Sequence, residues 1–241
     1  MKIIKKFTDK QAALREAPAP VLAFLGDSVT HGCFEIYDRG GRVETEFRPE
    51  QSYASCVRQM FSVLFPTVVP VIVNAGISGD TAVGGLKRLD RDVLRMRPDL
   101  VVVCYGLNDA GGAAAGLPTY ETSLREIFAK IRSAGAEIIF LTPNLRVAHP
   151  KRPFHVPVLD EVAAQVSKNE RDGWLARYMD CARTVCRSSG VPVCDCNALW
   201  SALAAAGVDT DELLANRVNH PIPALHKMFA YELIKTMFAD V

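Results

Sequence analysis

Five short apolar runs, rich in β-branched residues, recur along the chain at 21–25, 68–73, 100–104, 137–141 and 191–194. Runs of this length are typical of strands that are buried on both faces of a sheet. Between them, apolar residues fall at helical spacing at 52–64, 83–96, 120–134 and 172–188, and a last such segment spans 223–238. This alternation predicts an α/β fold, with a parallel sheet and helices on both faces.

The length of 241 residues suits one large domain, and no repeat, linker or low-complexity tract divides it. We therefore expect a single domain over residues 1–241. The 28 basic and 27 acidic residues give a net charge of +1, too little to attract a polyanion or an anionic membrane. Nucleic acid and membrane are not expected partners. We expect no signal peptide, because the first lysines are followed by a polar segment, and no membrane span, because no apolar window is long enough.

The seven cysteines are an odd number and are scattered along the chain. This usage is typical of reduced thiols and predicts a cytoplasmic protein. Cys194 and Cys196 are too close in sequence for a usual zinc knuckle, and no second Cys/His pair stands at ligand spacing. We expect neither a metal nor a cofactor.

Polar residues collect where the first three predicted strands end, at 26–28, 74–81 and 105–109. A single Gly/Asp-rich loop of this kind usually forms only a turn. In open α/β sheets, however, ligands bind at the carboxyl edge of the strands. Three such loops together predict a site at that edge.

Ser28 stands at a predicted strand-to-helix turn and resembles a nucleophile elbow, although the glycine two residues after the serine is missing. A serine hydroxyl needs a neighbouring base to accept its proton. His220, in the segment Asn219-His-Pro before the last predicted helix, is the candidate base. His31 could line the same pocket, and His226 is expected to pack or cap.

Four blocks, GDSVT at 26–30, GISGDT at 76–81, GLND at 106–109 and NHP at 219–221, resemble the SGNH (GDSL-type) esterase and lipase superfamily in type and order. The resemblance implies a flavodoxin-like three-layer α/β/α sandwich around a five-stranded parallel sheet. It makes Ser28 the nucleophile and His220 the general base. It also implies an oxyanion hole formed by the backbone N–H of Ser28, by Gly79 and by the side chain of Asn108.

One position departs from the family, which usually has an aspartate three residues before its histidine. Here that residue is Arg217, whose guanidinium has no acceptor for the imidazole N–H. The groups that could orient His220 instead are Asn216, Asn219, Asp195 or a backbone carbonyl. Asp209 and Glu212 look more like a capping box than catalytic acids. We expect a Ser–His dyad with a neutral third member.

Two connecting segments are candidates for the walls of the site. Residues 144–157 follow the fourth strand and form an unusually long connection, which favours a lid or a substrate wall. This segment contains His149 and His155, and its basic residues either meet an acidic substrate or are solvated: Arg146, Lys151 and Arg152. The charged insertion at 35–50 could frame the pocket or a subunit interface.

The sequence therefore predicts a serine esterase that removes short acyl groups, such as acetyl, from a small-molecule ester whose alcohol could be a carbohydrate. An alternative is a catalytically impaired scaffold that binds a carbohydrate or another ligand. A flavodoxin-like nucleotide binder is less favoured, because no phosphate-cradling glycine loop follows the first strand. A homo-oligomer is compatible with either function.

Overall fold

The computed structural model describes residues 1–239. In chain order they form α1 (Lys2–Ala12), β1 (Val21–Gly26), α2 (Ser28–His31), β2 (Cys33–Asp38), β3 (Val43–Phe47), α3 (Tyr53–Leu64), β4 (Val71–Gly76), α4 (Ala82–Asp92), β5 (Leu100–Cys104), α5 (Ala113–Ser133), β6 (Glu137–Thr142), α6 (Pro157–Arg171), α7 (Trp174–Ser189), β7 (Val193–Asp195), α8 (Cys196–Ala205) and α9 (Pro223–Phe238). Short 3-10 turns lie at 49–51, 94–96, 109–112 and 210–213.

A five-stranded parallel sheet in the order β4-β1-β5-β6-β7 forms the centre of the fold. Helices α1, α3 and α9 pack together as one group, and α4, α5 and α7 pack together as another. The helices flank the sheet, which gives the predicted three-layer α/β/α sandwich. In the register of the sheet, Gly26 pairs with both Gly76 and Cys104, so the carboxyl ends of β4, β1 and β5 lie side by side.

Three of the five predicted strands match the structure to within one residue. The fifth begins at Val193, two residues later than predicted, and the second begins three residues later than predicted. Pairing starts at Val71, whose N–H donates to the carbonyl of Pro20 at 2.8 Å. Pro70, just before it, has no N–H to donate to a ladder. The prediction of burial on both faces is right for the central β5 but wrong for β4, because β4 is an edge strand and Val71 is 47% exposed.

A β-hairpin made of β2 and β3 occupies the charged insertion and lies outside the main sheet. Cys33 pairs with Phe47, and Ile36 pairs with Thr45. Between these pairs, β2 advances by three residues and β3 by two, so β2 carries a bulge at Phe34 and Glu35. The hairpin follows α2 directly, which places the bulge close to the end of β1.

Within residues 1–239, no helix has the length and apolar character that crossing a membrane requires. All seven cysteines are unpaired, and six of them are buried. In the same part of the chain, no group of three or more Cys, His, Asp or Glu side chains is arranged to hold a metal ion.

Candidate active site

Ser28 is the first residue of α2, immediately beyond the carboxyl end of β1. Asp27 caps this helix, because its Oδ1 accepts a hydrogen bond from Val29 N at 3.0 Å. Gly26 allows the sharp turn, since a Cβ there would lie only 2.1 Å from Thr30 Oγ1. The turn therefore holds the serine, which is 3% exposed, above the end of the sheet.

The structure brings Ser28 and His220 into direct contact, as predicted. Ser28 Oγ lies 2.9 Å from Nε2 of His220, and Nδ1 of the same ring lies 3.0 Å from the carbonyl oxygen of Phe34. A carbonyl only accepts hydrogen bonds, so Nδ1 carries the proton. Nε2 is then unprotonated and faces the serine hydroxyl, which is the tautomer that a general base needs.

The third member at His220 is therefore a backbone carbonyl, one of the alternatives left open by the sequence. Arg217 takes no part in orienting the ring. It adopts a left-handed φ of 56°, and its guanidinium carbon lies 3.8 Å from the ring centroid of Phe154. The side chain at the position of the usual acid is thus packed against the 144–157 segment.

Asn216 and Asn219 form hydrogen bonds within the loop that carries His220. Nδ1 of the His220 ring donates its hydrogen bond to the Phe34 carbonyl instead. Asn216 Oδ1 accepts hydrogen bonds at 2.9–3.0 Å from the backbone N–H groups of residues 218, 219 and 220. Asn216 Nδ2 donates to Asn219 Oδ1 at 2.9 Å. The buried Asn144 donates to the carbonyl of Asn219 at 2.9 Å and ties this loop to the segment after β6.

The acidic candidates elsewhere have structural roles. Asp195 caps α8 by accepting from Ala198 N at 3.1 Å, and it pairs with Arg183 at 2.8 Å. The predicted capping box of Asp209 and Glu212 is wrong. Asp209 makes no side-chain cap. The two acids instead form surface ion pairs, with Lys151 and Arg152 respectively.

Burial lowers the pKa of His220 to about 4, and the hydrogen bond to Phe34 acts in the opposite direction. The ring is 4% exposed and faces a neutral acceptor, and among residues 1–239 no carboxylate raises its pKa by favouring the imidazolium. His220 is consequently neutral at physiological pH and able to accept a proton. This agrees with the hypothesis of a neutral third member.

The loops that carry Gly79 and Asn108 are joined to each other beside the turn of Ser28. Asn108 Nδ2 donates to the carbonyl of Asp80 at 2.8 Å. Because a carbonyl cannot donate, the Asn108 atom that faces it must be the amide nitrogen. Gly79 has a φ of +79°, and a Cβ added to it would meet nothing within 4 Å. Ile77 N donates to the carbonyl of Gly26 at 3.1 Å. The candidate oxyanion donors thus lie on connected loops at one edge of the sheet.

Arg88 also supports this edge of the sheet, and no pattern in the sequence distinguishes it from the other arginines. Its guanidinium forms a buried ion pair with Asp80 at 2.7 Å and donates to the carbonyls of Gly26 and Ala75 at 3.0 and 2.6 Å. Tyr105 Oη lies 2.9 Å from the same guanidinium. One buried cation therefore links the ends of β1 and β4 to the loop that contains Gly79.

Arg146 corrects the expectation for the basic residues of the 144–157 segment. It is 4% exposed, so it is not solvated, and its charge is already paired with Glu170 at 2.9 Å, so it is not a binding group for an acidic substrate. It also donates to the carbonyl of Leu107 at 3.1 Å, one residue before Asn108. The remaining charged and imidazole side chains of the segment are exposed: His149, Lys151, Arg152 and His155.

Two carboxyl groups with shifted pKa values lie within the motif loops: Asp27 is fully buried and Asp109 is half-buried. Burial raises the pKa of Asp27 to about 7 and that of Asp109 to about 6. Asp109 Oδ1 accepts from Ala82 N at 2.9 Å, which ties the third motif block to the second. Within residues 1–239, the Oδ2 atom of each carboxyl group has no hydrogen-bond partner.

The two remaining histidines near the site have the roles that the sequence allowed. His31 is half-buried on α2, and its ring lies 4.6 Å from that of Phe47. His226 is fully buried, and its Nδ1 accepts from Tyr53 N at 3.1 Å, at the start of α3. His226 thus caps α3 and packs in the core, as predicted.

Comparison with known proteins agrees with this arrangement. Residues 24–228 match the model of the GDSL-like Lipase/Acylhydrolase family, and the chain belongs to that family. The resemblance to the SGNH superfamily is confirmed. The motif blocks that carry Ser28, Gly79, Asn108 and His220 all lie within the matched region.

Two curated relatives are similar to part of the chain. Esterase TesA of Pseudomonas aeruginosa is 31% identical over 111 residues, 45% of this chain and 53% of the relative. An acetylxylan esterase of Geobacillus stearothermophilus is 28% identical over 135 residues, 51% of this chain and 58% of the relative. The chain spans little more than half the length of these relatives.

The fold has solved counterparts over nearly its whole length. The crystal structure of an acetylxylan esterase from Geobacillus stearothermophilus superposes with a TM-score of 0.65 at 21% identity. The match covers 91% of this chain and 94% of that chain. At this level of identity, the comparison establishes the shared α/β/α architecture.

Proposed function

We propose that this protein hydrolyses carboxylic esters through an acyl-enzyme on Ser28. The observation that supports this most directly is the buried hydrogen-bond chain from Ser28 Oγ to His220 and on to the carbonyl of Phe34, with lengths of 2.9 and 3.0 Å. A hydroxyl next to an unprotonated, oriented imidazole is an activated nucleophile. The esterases among its relatives support the same reaction class.

In the first half of the reaction, Ser28 Oγ attacks the ester carbonyl carbon while His220 Nε2 takes the hydroxyl proton. The new oxyanion accepts hydrogen bonds from the N–H groups of Ser28 and Gly79 and from Asn108 Nδ2. When the intermediate collapses, the bond to the alcohol oxygen breaks and His220 returns the proton to that oxygen. The alcohol leaves, and the acyl group remains on Ser28.

In the second half, water attacks the acyl carbon and His220 accepts one of its protons. Collapse of the second intermediate breaks the bond to Ser28, which regains its hydrogen from His220, and the carboxylic acid departs. Throughout, the Phe34 carbonyl keeps Nδ1–H of His220 in place. The imidazolium that forms twice in the cycle remains hydrogen-bonded at both nitrogens.

For the substrate, we propose short acyl groups such as acetyl on an alcohol that can be a carbohydrate. An acetylxylan esterase among the relatives supports this choice. Phe47 offers a second argument, because its ring is 48% exposed and lies against His31, one helical turn after Ser28. Exposed aromatic faces suit the apolar faces of sugar rings. A screen of acetylated sugars and of p-nitrophenyl esters of increasing chain length tests both parts of the proposal.

The Ser28→Ala variant tests the reaction itself. We expect it to lose hydrolysis of p-nitrophenyl acetate and labelling by a fluorophosphonate, which reacts with activated serines. Wild-type turnover in this variant would rule out Ser28 as the nucleophile. If the wild-type protein were neither labelled nor active but bound an acetylated sugar, the ligand-binding alternative would replace the esterase.

We further propose a cytoplasmic location, where reducing conditions would keep the seven unpaired thiols reduced. Fractionation of cells that express the full-length protein tests this. The proposed partner is the small-molecule ester alone. Sedimentation at several concentrations tests whether the chain also associates with itself.

A further inference from the structure

The carbonyl that orients His220 belongs to the bulge in β2. The pairing of β2 with β3 passes from Cys33 and Phe47 directly to Ile36 and Thr45, so Phe34 and Glu35 have no partner residue in the register. A bulge interrupts the regular ladder and redirects the backbone groups within it. The direction of the Phe34 carbonyl must therefore be set by contacts other than regular pairing.

The fully buried Phe34 ring provides such contacts on two sides of the chain. The His226 ring, on α9, lies 5.0 Å from it, and the Arg48 guanidinium carbon, just after β3, lies 4.8 Å from its centroid. Both partners are themselves held. His226 Nδ1 accepts from Tyr53 N, and the Arg48 guanidinium pairs with Glu46 at 3.1 Å.

We propose that Arg48 and His226 are positioning residues of the dyad, which hold the Phe34 ring and so fix the bulged carbonyl against His220 Nδ1. This inference rests on the proposed esterase function. The ring and the carbonyl are attached to the same Cα, so a ring held on two sides limits how far this Cα, and the peptide that carries the carbonyl, can move. Neither residue contacts Ser28 or the reacting ester in the proposed mechanism.

The consequence for catalysis is geometric. If the Phe34 carbonyl were displaced, the His220 ring could rotate, and Nε2 would no longer be aligned with the Ser28 hydroxyl. Small misplacements of a catalytic group reduce the rate of the chemical step more than they reduce substrate binding. The contacts of Phe34 should therefore affect kcat far more than KM.

The test compares three variants of the ring contacts with one control. Phe34→Leu keeps the carbonyl and removes the ring; His226→Asn keeps an acceptor for Tyr53 N and removes its own ring. Arg48→Met removes the charge at a half-buried position and should fold normally. Phe61→Leu is the control, because it makes the same substitution in a buried stack with Phe7, at 4.1 Å, and Phe61 is not part of the proposed dyad.

Three measurements are made on each purified full-length variant: Tm, kcat and KM for p-nitrophenyl acetate, and the proton NMR resonance of His220 Nδ1–H. The last is assigned by its loss in His220→Gln. We expect the three ring variants to broaden or shift this resonance and to lower kcat about tenfold, with KM within twofold of wild type. Phe61→Leu should lower Tm and leave the resonance and kcat unchanged. His226→Phe, which restores a ring, should retain more kcat than His226→Asn.

The positioning role is overturned if Phe34→Leu and His226→Asn lower Tm as the control does but keep the wild-type resonance and kcat. It is equally overturned if Arg48→Met, folded normally, changes neither. The resonance needs no substrate, so it decides this inference even if the protein hydrolyses no ester. Absence of ester hydrolysis in the wild type would, by contrast, contradict the proposed function alone.

Discussion

Nδ1–H of His220 donates a hydrogen bond to the backbone carbonyl of Phe34 at 3.0 Å, in a chain that has Arg217 where the family usually has an acid. A carbonyl carries no net charge, so it orients the imidazole without the attraction that a carboxylate exerts on an imidazolium. The two functions of the usual acid are thereby separated. Orientation is kept, and stabilisation of the charged ring is reduced.

The first prediction concerns the acid limb of kcat/KM against pH. His220 must be neutral to act as a base, and burial lowers its pKa to about 4. Activity should therefore persist as the pH falls from 7 to 5 and decline only near pH 4. An initial-rate profile with an acid-stable acetyl ester measures this.

A limb with an apparent pKa above 6.5 would contradict the neutral partner. The titration of neighbouring groups must be distinguished from the titration of His220 in this profile. His226 is also neutral in this range, because burial lowers its pKa to about 3. Asp27 and Asp109 ionise at about 7 and about 6. The profile should therefore be repeated with Asp27→Asn, whose acid limb should coincide with that of the wild type.

The second prediction concerns Asn108 as an oxyanion donor. Asn108→Ala removes the side-chain N–H groups, and loss of one oxyanion donor costs about 100-fold or more in rate. We expect kcat to fall by about that factor while KM changes little. Asn108 also donates to the carbonyl of Asp80 at 2.8 Å, so thermal unfolding must show that the loop remains folded. Unchanged kcat would remove Asn108 from the oxyanion hole.

The third prediction uses two glycines with nearly the same positive φ. Gly79 and Gly135 have φ of +79° and +82°, and a Cβ at either would meet nothing within 4 Å. Alanine at either position should lower the free energy of unfolding by about 1 kcal/mol, because the left-handed region disfavours a Cβ. Gly135 lies between α5 and β6, before the amino end of that strand.

Only Gly79→Ala should lower kcat, by at least about tenfold, because a Cβ disfavours the positive φ at this position and would displace the backbone N–H, which is a proposed oxyanion donor. Urea unfolding and initial rates measure the two effects separately. If both variants lose the same stability and both keep wild-type kcat, Gly79 serves the turn and has no catalytic role.

The fourth prediction concerns Phe47 as a surface for the alcohol. Its ring is 48% exposed, so Phe47→Ala should cost little stability. We expect it to raise KM for acetylated xylo-oligosaccharides severalfold while leaving the kinetics with p-nitrophenyl acetate within twofold. Tyr37→Ala, at a 44% exposed aromatic ring on the other strand of the hairpin, is the matched control. Equal effects of the two variants on KM would contradict a specific role for Phe47.

The sheet and the contact between Ser28 and His220 could be predicted from the sequence because their signals are local. Apolar runs followed by polar residues mark the ends of β1, β4 and β5, and parallel strands bring those ends together. Ser28 and His220 have side chains whose chemistry suggests their roles. The predicted start of β4 is too early. The residues before and after Pro70 are equally apolar, and only the residues after it pair with β1.

The supports of the site could not be predicted, because their signals are not local. Every residue has a carbonyl, so Phe34 acquires its role only through the bulge that turns it toward His220. Arginines are normally expected at the surface. Arg88 and Arg146 are buried among acids and carbonyls. Some of these partners are distant in sequence, such as the carbonyls of Gly26 and Leu107, and one sequence does not show which partners will meet.

The last prediction concerns stability against pH. Asp27 is fully buried, and burial raises its pKa from 3.8 to about 7. The folded protein thus binds a proton that the unfolded chain releases near its ordinary, lower pKa. The contribution of this group to stability is fully present below the unfolded pKa and is lost as the pH rises through 7.

Asp27→Asn cannot ionise, and its side-chain oxygen can still accept from Val29 N. Between pH 5 and pH 8, the wild type should therefore lose on the order of 2 kcal/mol of unfolding free energy relative to this variant. Titrating groups that do not interact with Asp27 are common to both proteins and cancel in the difference. Urea unfolding of both proteins at pH 5, 6.5 and 8 measures it. Parallel stability profiles would show that Asp27 titrates normally in the folded protein, and a steeper loss in the variant would reverse the sign of the argument.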